Sequence, residues 1–571
     1  MATTLPLPQT DPAAETPAAH VQAAGNRALG ILLDDPRAGR PVHVEHIPAR
    51  AGREVPWPPW VPAEITGAFA GRGIRAPWSH QAEAACHAQA GRNVIISTGA
   101  ASGKSLGYLL PALSAVLAGE TVLYVTPTKA LAADQLASIR ALGLPGIQAA
   151  TFDGDTPRTE RDWARSHARY LLTTPDMLHQ SLLPRHNRWS GFLSRLRYVI
   201  IDECHEYRGV FGSHVGHVLR RLRRVVAHHA APGELARPVF VLASATVGTP
   251  GACAQLLTGL DAEEVTEDGS PRGPLAFALW EPPLTGARGE VGARLRRTAT
   301  AQTADLLARL VRQDVPTLAF IRSRRGAETV ALAARRSLGG HDAPEAKVAA
   351  YRSGYLPEDR RDLEAAISDG RLVGLAATTA LELGVNITGL DAVLIAGWPG
   401  SWASLWQQAG RAGRSGRSAA AVLIARDDPL DTYLVQHPEI LLRHPVEATV
   451  LDPGNPYVLA PHLCAAAAEL ALTDADLDIF GPQARAVVDD LTTAVEEGRA
   501  RVGPQLLGHP LRPHHAVAVA RRARLAALDA SLLDLPPGPA VSAEGKPHPG
   551  SLPRLLAGAA APAGRVCLVC R

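Results

Sequence analysis

A chain of 571 residues, 46% hydrophobic and 20% charged, carries apolar material for two large domains or about four small ones, and too much to remain a solvated coil. Its 58 basic and 55 acidic residues leave a formal net charge of +3, so bulk charge selects neither nucleic acid nor membrane and any such partner must be argued from local sites. Six scattered cysteines exclude a disulfide framework and fit a reducing, cytoplasmic compartment; the apolar stretch Leu106 to Gly119, interrupted by Pro111, is shorter than the ~20 residues of a bilayer span, and no signal-like segment opens the chain.

In chain order, residues 1–70 read as an N-terminal extension. Its first 20 or so residues are rich in Pro, Ala and Thr and predict disorder, and Pro56 to Trp60 forms an irregular lead. From about residue 75, short apolar runs alternate with helical patterns. Asn93–Ile96, Thr121–Val125, Tyr170–Leu172, Tyr198–Ile201 and Val239–Leu242 predict strands, each followed by a polar or Gly-containing turn. This alternation predicts an α/β domain with a parallel sheet over residues 71–270. A Gly/Pro-rich break at Asp268–Pro274 precedes a second such series, Pro316–Ile321, Leu372–Ala376, Ala392–Ile395 and Ala420–Ile424, which predicts a similar domain over 271–430. Residues 431–571 turn helical and Ala-rich. No aromatic residue follows Phe480, so the last 65 or so residues predict poor order.

Four of the 58 basic residues are lysine (Lys104, Lys129, Lys347 and Lys546) and the other 54 are arginine. In such a background a lysine marks a site that wants a compact ammonium. Lys104 closes the run Thr98, Gly99, Ala100, Ala101, Ser102, Gly103, Lys104, Ser105, between a strand and an apolar helix. This is the pattern of a phosphate loop. Backbone N–H groups at a helix start cradle phosphate oxygens, the lysine reaches the β- and γ-phosphates, and the Ser105 hydroxyl ligates Mg²⁺. About 100 residues on, the strand Tyr198–Ile201 ends in Asp202 and Glu203. Asp202 is placed to hold Mg²⁺, and Glu203 to orient and deprotonate an attacking water. Loop and acids together predict an ATP hydrolytic site. Arg220, Arg221, Arg223 and Arg224, like Arg322, Arg324 and Arg325, read as solvated basic faces of an arginine-biased chain.

With Lys104, the run Asp202-Glu203-Cys204-His205, Ser244-Ala245-Thr246, and Gln407 to Arg414, the chain resembles the DEAD/DEAH-box superfamily two helicases. Pro127–Leu131, Thr174–Leu178 and Thr378–Gly384 extend the resemblance to about residues 75–460, with the motifs in the family's order. Asp153–Pro157, Tyr207–His214, Tyr351–Tyr355 and Leu405–Gln408 are similar to one branch, that of mitomycin repair factor A and its RecQ-like fungal relatives.

The resemblance implies two tandem RecA-like parallel-sheet domains of the P-loop NTPase fold, plus a helical, winged-helix-like remnant at the C-terminus. It implies a 3′-to-5′ DNA helicase in repair, using ATP and Mg²⁺ on single-stranded or tailed DNA. RNA remains an alternative substrate, and nucleotide-gated binding without unwinding an alternative activity. Carried over by residue, Gln81 reads adenine, and Gln407, Arg411 and Arg414 join the catalytic set, the arginines neutralising the γ-phosphate. His205, Ser244, Thr246 and Gly384 couple nucleotide state to the strand, with Ser244 and Thr246 bonding toward Asp202 and His205. Thr128, Gly154, Thr174, Ser323 and Thr378 contact sugar and phosphate. Two features depart from the pattern. Asn386 stands where the family usually carries Asp. The branch's four-cysteine zinc module is reduced to Cys567 and Cys570, with His462 and Cys464 as remote additional candidates, so zinc is not expected.

Overall fold

The computed structural model describes residues 26–34, 39–99, 101–230, 238–288, 292, 294–339, 347–352, 354–381, 390–413 and 417–496. They form two compact units. One comprises Glu54–Thr98, Gly103–Glu267 and the residues from Ala448 onward; the other comprises the residues up to Arg53, Gly99–Ser102 and Asp268–Glu447. Helix α1 (Arg27–Leu33) and strand β1 (Pro41–Ile47) lie within the stretch read as an N-terminal extension, and they belong to the second of these units.

The first unit is built on seven parallel strands: β2 (Val94–Ser97), β3 (Thr121–Val125), β4 (Ala149–Phe152), β5 (Tyr170–Thr173), β6 (Leu196–Ile201), β7 (Val239–Ser244) and β8 (Glu263–Val265), in the order β4-β5-β3-β6-β7-β2-β8. The central strands are buried on both faces, which is why they read as unbroken apolar runs. Val94 and Ile96 face one core while Ile95 faces the other, the period of two that a pleated strand imposes. Helix α2 (Ser79–Gln89) leads into β2, and α3 (Ser105–Leu117), α4 (Lys129–Arg140), α5 (Arg158–His167) and α6 (Gly209–His229) lie between successive strands.

In the second unit, β9 (Leu275–Trp280) is followed by the hairpin β10 (Leu284–Arg288) and β11 (Arg294–Arg296), α7 (Ala299–Arg312), β12 (Thr317–Ile321), α8 (Arg324–Leu338), β13 (Val348–Tyr351), β14 (Gly374–Ala377), β15 (Ala392–Ala396), α9 (Trp402–Ala409) and β16 (Ala419–Ile424). The sheet order is β1-β9-β16-β15-β12-β14-β13, parallel except for β1, which runs antiparallel to β9 from Pro41 opposite Trp280 to Ile47 opposite Leu275. Helix α1 places Ala28, Leu29 and Leu32 in this unit's core. Its N-cap Asn26 accepts from Leu29 N and donates Nδ2 to Ala419 O at 2.6 Å. Both sheets match the predicted RecA-like α/β fold class. Among the described residues no helix is long and apolar enough to cross a membrane.

After Ala448 the chain returns to the first unit as α10 (Pro456–Glu469), α11 (Asp474–Phe480) and α12 (Ala484–Glu496). Here one expectation is corrected. Arg220, Arg221 and Arg224 on α6 are buried, the last two beneath these C-terminal helices, which supply their oxygen partners. Arg221 forms a two-pronged pair with Glu469, its Nε donating at 3.0 Å, and also bonds His179 and His462. Arg224 pairs with Asp476 at 2.8 Å and donates to the carbonyls of Ala466, Leu470 and Ala471. Arg220 donates to the carbonyls of Gly216, Leu256 and Leu257. Guanidinium has five donors in a fixed fork, so it can be sealed away when most of its prongs meet acceptors. Arg322, Arg324 and Arg325 are exposed, as read.

Removing one partner of a buried ion pair leaves an uncompensated charge. Glu469→Ala is therefore expected to destabilise the first unit by about 3–5 kcal/mol. The double change Arg221→Met with Glu469→Leu should recover most of that loss. Thermal denaturation of the two variants beside the parent chain checks both.

Candidate active site

The phosphate-loop sequence lies between β2 and α3, as its pattern requires. Gly103 sits at φ +76°, where an L side chain is strained, and a Cβ there would come within 2.7 Å of Gln81 Nε2. Ala101 also takes a left-handed backbone, at φ 63°. Lys104 turns back over the loop, its Nζ 3.3 Å from Thr98 O. Gln81 is buried and anchors the loop. Its amide nitrogen donates to Gly103 O at 2.8 Å, and its oxygen accepts from Trp78 N at 2.8 Å. The residue assigned to adenine thus spends both ends of its amide on local structure here. Ala100 lies outside the described residues.

Asp202 follows β6. Its Oδ2 accepts from the Tyr124 hydroxyl at 2.5 Å and from the Tyr108 hydroxyl at 3.0 Å, and its Oδ1 accepts from Glu203 N at 3.0 Å. Burial first, then the adjacent Glu203 carboxylate, push its pKa up to about 6, while the two tyrosine bonds oppose the rise. Burial and the Asp202 charge in turn raise both tyrosine hydroxyls well above their ordinary value, so they stay donors. Glu203 itself is left-handed, at φ 49° and ψ 44°. For a residue with a Cβ that conformation costs on the order of 1–3 kcal/mol, and it persists only where the surroundings hold it. The oxygen donors of Ser105 and Asp202 are the hard ligands that Mg²⁺ takes, so the residues present fit that ion.

Tyr108 and Tyr124 escaped the sequence reading, which named neither as a site residue. The available signal was spacing. Tyr108 lies three residues beyond Ser105 on one helix, and Tyr124 lies on β3, the strand paired with β6.

His205 is buried, which lowers its pKa to about 4 and keeps it neutral at pH 7. Its Nδ1 accepts from Ala245 N at 3.2 Å and lies 3.6 Å from Glu203 Oε2. The link expected from the Ser244 and Thr246 side chains is therefore made by the backbone of the residue between them. Ser97, at the end of β2, adds a second tie. Its hydroxyl accepts from Val247 N at 3.1 Å and donates to Ala245 O at 3.3 Å.

The residues expected to touch a strand all sit just beyond the carboxyl ends of parallel strands. Thr128 follows β3 and caps α4 by accepting from Leu131 N at 3.3 Å. Gly154 follows β4, beside Lys129, which pairs with Asp155 at 2.8 Å. Thr174 follows β5 as a helix N-cap. In the second unit, Ser323 follows β12 and caps α8 through Gly326 N at 3.0 Å, and Thr378 follows β14. Gln407, on α9, and Arg411, in the turn after it, are both buried. Arg414, Gly384 and Asn386 lie outside the described residues, as do Cys567 and Cys570. Among the described residues no three His, Cys, Asp or Glu side chains converge to hold a metal ion.

Residues 78–252 match the DEAD/DEAH box helicase family, residues 302–416 the helicase conserved C-terminal domain, and residues 451–519 the winged helix domain of the ATP-dependent helicase HRQ1. The chain is similar to the uncharacterized ATP-dependent helicase YprA of Bacillus subtilis, with 37% identity over 451 residues covering 78% of this chain and 59% of that protein. It is similar to the ATP-dependent helicase hrq1 of Schizosaccharomyces pombe, with 36% identity over 457 residues covering 78% of this chain and 42% of that protein. Of the solved structures, the DUF1998 helicase MrfA bound to DNA and AMPPNP aligns with a TM-score of 0.75 at 34% identity, covering 82% of this chain and 64% of that one. The chain thus spans less than two thirds of the length of these relatives.

Asp202 must give up its proton to hold a cation, so affinity for magnesium-bound nucleotide should fall as pH drops through about 6. Tyr124→Phe removes a bond that favours the charged carboxylate. The fall should then move to higher pH by roughly one unit, about 1.4 kcal/mol. Nucleotide titrations across pH 5 to 8 check the direction and size of the shift.

Proposed function

Because the chain belongs to the DEAD/DEAH-box superfamily two helicases, we propose that it is an ATP-dependent DNA helicase or translocase that moves 3′ to 5′ on single-stranded DNA and serves DNA repair. The observation that carries this reading is the acid pair at the end of β6, with Asp202 fixed by two tyrosine hydroxyls and Glu203 held in a left-handed turn beside His205.

The proposed chemistry is hydrolysis of the γ-phosphate. Lys104 and the loop backbone hold the phosphates. Glu203 orients a water and takes its proton as the water oxygen bonds to phosphorus and the bond to the departing ADP breaks. Ser105 and Asp202 would hold Mg²⁺, which when bound neutralises charge on the β- and γ-phosphates. Arg411 and Arg414 add positive charge to the γ-phosphate in the transition state. His205, tied to Ala245, passes the state of the acid pair to the segment after β7.

DNA is favoured over RNA by the relative solved with DNA and AMPPNP at 34% identity; neighbours bound to single-stranded RNA share 13% identity and bear on the fold alone. The repair role and the polarity rest on the resemblance to the mitomycin repair factor A branch.

Glu203→Gln should keep nucleotide affinity while slowing turnover by about a hundredfold or more. Lys104→Ala should lose nucleotide binding. Steady-state hydrolysis with single-stranded DNA, beside equilibrium nucleotide binding, separates the two; full turnover in the Glu203 variant would remove that residue from the base role. ATP-driven unwinding of a 3′-tailed DNA duplex, but not of a 5′-tailed duplex or an RNA one, is the expected substrate pattern.

A further inference from the structure

The first unit carries a strongly basic groove whose arginines belong to none of the motifs above. Thr156 and Asp162, with Arg158, Arg161, Arg165, Arg185 and Arg188, line an open concavity of about 450 Å³. Arg158, Arg161 and Arg165 come from α5, and Arg185 and Arg188 from the short helical segment Leu183–Trp189. Five arginines face one aspartate, a formal surplus of four positive charges. Like charges gathered this closely repel, and an anionic ligand relieves the repulsion.

The arginines play two parts. Arg161 and Arg165 are built in. Arg161 donates to Thr156 O and to Gly154 O, each at 2.8 Å, and so braces the loop after β4. Arg165 pairs with Asp162 at 2.7 Å and lies over the Trp189 ring at 5.9 Å. Arg158, Arg185 and Arg188 are exposed along the rim.

We propose that this groove is a second nucleic-acid contact that binds backbone phosphates in the duplex part of a tailed substrate, apart from the strand contacts expected at Thr128, Gly154 and Thr174. The proposal rests on the nucleic-acid reading above and extends it to a particular surface. The lining chooses among anions. Bases of an unpaired strand gain from aromatic faces on which to stack; among the described residues no aromatic side chain lines the groove, and Trp189 beneath Arg165 is buried. A protein partner would be anchored by buried apolar or aromatic contacts, and the lining offers only Thr, Arg and Asp. A duplex carries about one charge per 1.7 Å of axis, the dense array of phosphates that a cluster of guanidiniums on an open face suits.

The test uses the whole chain and the triple variant Arg158→Gln, Arg185→Gln, Arg188→Gln. Affinity for a tailed DNA duplex, and for its single-stranded tail alone, is measured between 50 and 200 mM salt. Three lost phosphate contacts lower the salt slope by about 2.7, so across that range the parent chain should lose about 40-fold more duplex affinity than the variant. Affinity for the tail alone and hydrolysis stimulated by single-stranded DNA should match the parent. The corresponding triple Arg→Lys variant keeps the charge and should restore the slope.

An unchanged duplex slope in the glutamine variant overturns the proposal. So does an equal loss on the tail alone, which would assign the groove to the single-strand track. Displacement of duplex by millimolar inorganic pyrophosphate or by an acidic peptide at matched ionic strength would mark a different ligand and also overturn it. Should the parent chain hydrolyse no ATP, the motor reading fails on its own, and the salt slopes still report on the groove.

Discussion

The direction of the strands fixes where chemistry can happen. In both units the central strands run parallel and are buried on both faces, so their flanks are sealed by helices and only the strand ends meet solvent. Parallel strands put all their carboxyl ends on one edge of a sheet, and ligands of such sheets bind beyond that edge. Thr98 after β2, Thr128 after β3, Gly154 after β4, Thr174 after β5, Asp202 after β6 and Ala245 at the close of β7 are scattered over nearly 150 residues, yet they all share that edge. A register slip in any of these strands would turn its residues to the opposite core and displace its terminal residue.

On that edge the costly feature is a carboxylate kept out of water. Asp202 is tolerated because two hydroxyls and a backbone N–H surround it, and those donors are themselves set by β3, α3 and the next residue of the chain. Glu203 adds conformational strain. Its turn is anchored upstream by β6 and downstream by α6, which begins at Gly209, six residues on. The residues after 448 hold α6 in turn. Gly209 N donates to Val450 O at 2.6 Å, Asp452 N donates to the Ser213 hydroxyl at 2.8 Å, and Arg221 and Arg224 are locked to Glu469 and Asp476. The C-terminal helices thus bear on the acid pair without touching it, by fixing the helix that leaves it.

The sequence made the two sheets and the phosphate loop legible because their signals are local. A strand buried on both faces is an apolar run, and a lysine is rare in this chain. What stayed hidden depended on distant partners. Strand β1 mixes half-buried and exposed residues without a strict alternation, and only its pairing with Leu275–Trp280 reveals where it belongs. Arg221 and Arg224 look like any charged helical face until α10 and α11 cover them. Tyr108 and Tyr124 sit in apolar surroundings where a tyrosine reads as core, and their hydroxyls gain meaning from a carboxylate 94 and 78 residues away. The Ala245 link is a backbone contact, and a side-chain pattern cannot announce it.

The pairing of β1 with β9 also bears on how the chain assembles. Pro41 and Trp280 are separated in sequence by the whole first sheet, and closing so long a flexible loop costs entropy that grows as the logarithm of its length. Once the intervening residues have folded, their ends no longer wander, and most of that cost has already been met by the first unit's own core. Residues at the two passages then stay side by side. Arg50 pairs with Arg272 as an antiparallel bridge, Arg53 N donates to Gly269 O at 2.8 Å, and the Arg50 guanidinium meets Asp268 at 2.6 Å. The Gly/Pro-rich break at Asp268–Pro274, which the sequence marked only as a boundary, is therefore an ordered junction. The second sheet gains its last edge strand there from a segment that precedes the first sheet in the chain, so closing that pairing costs less entropy once the first unit has formed.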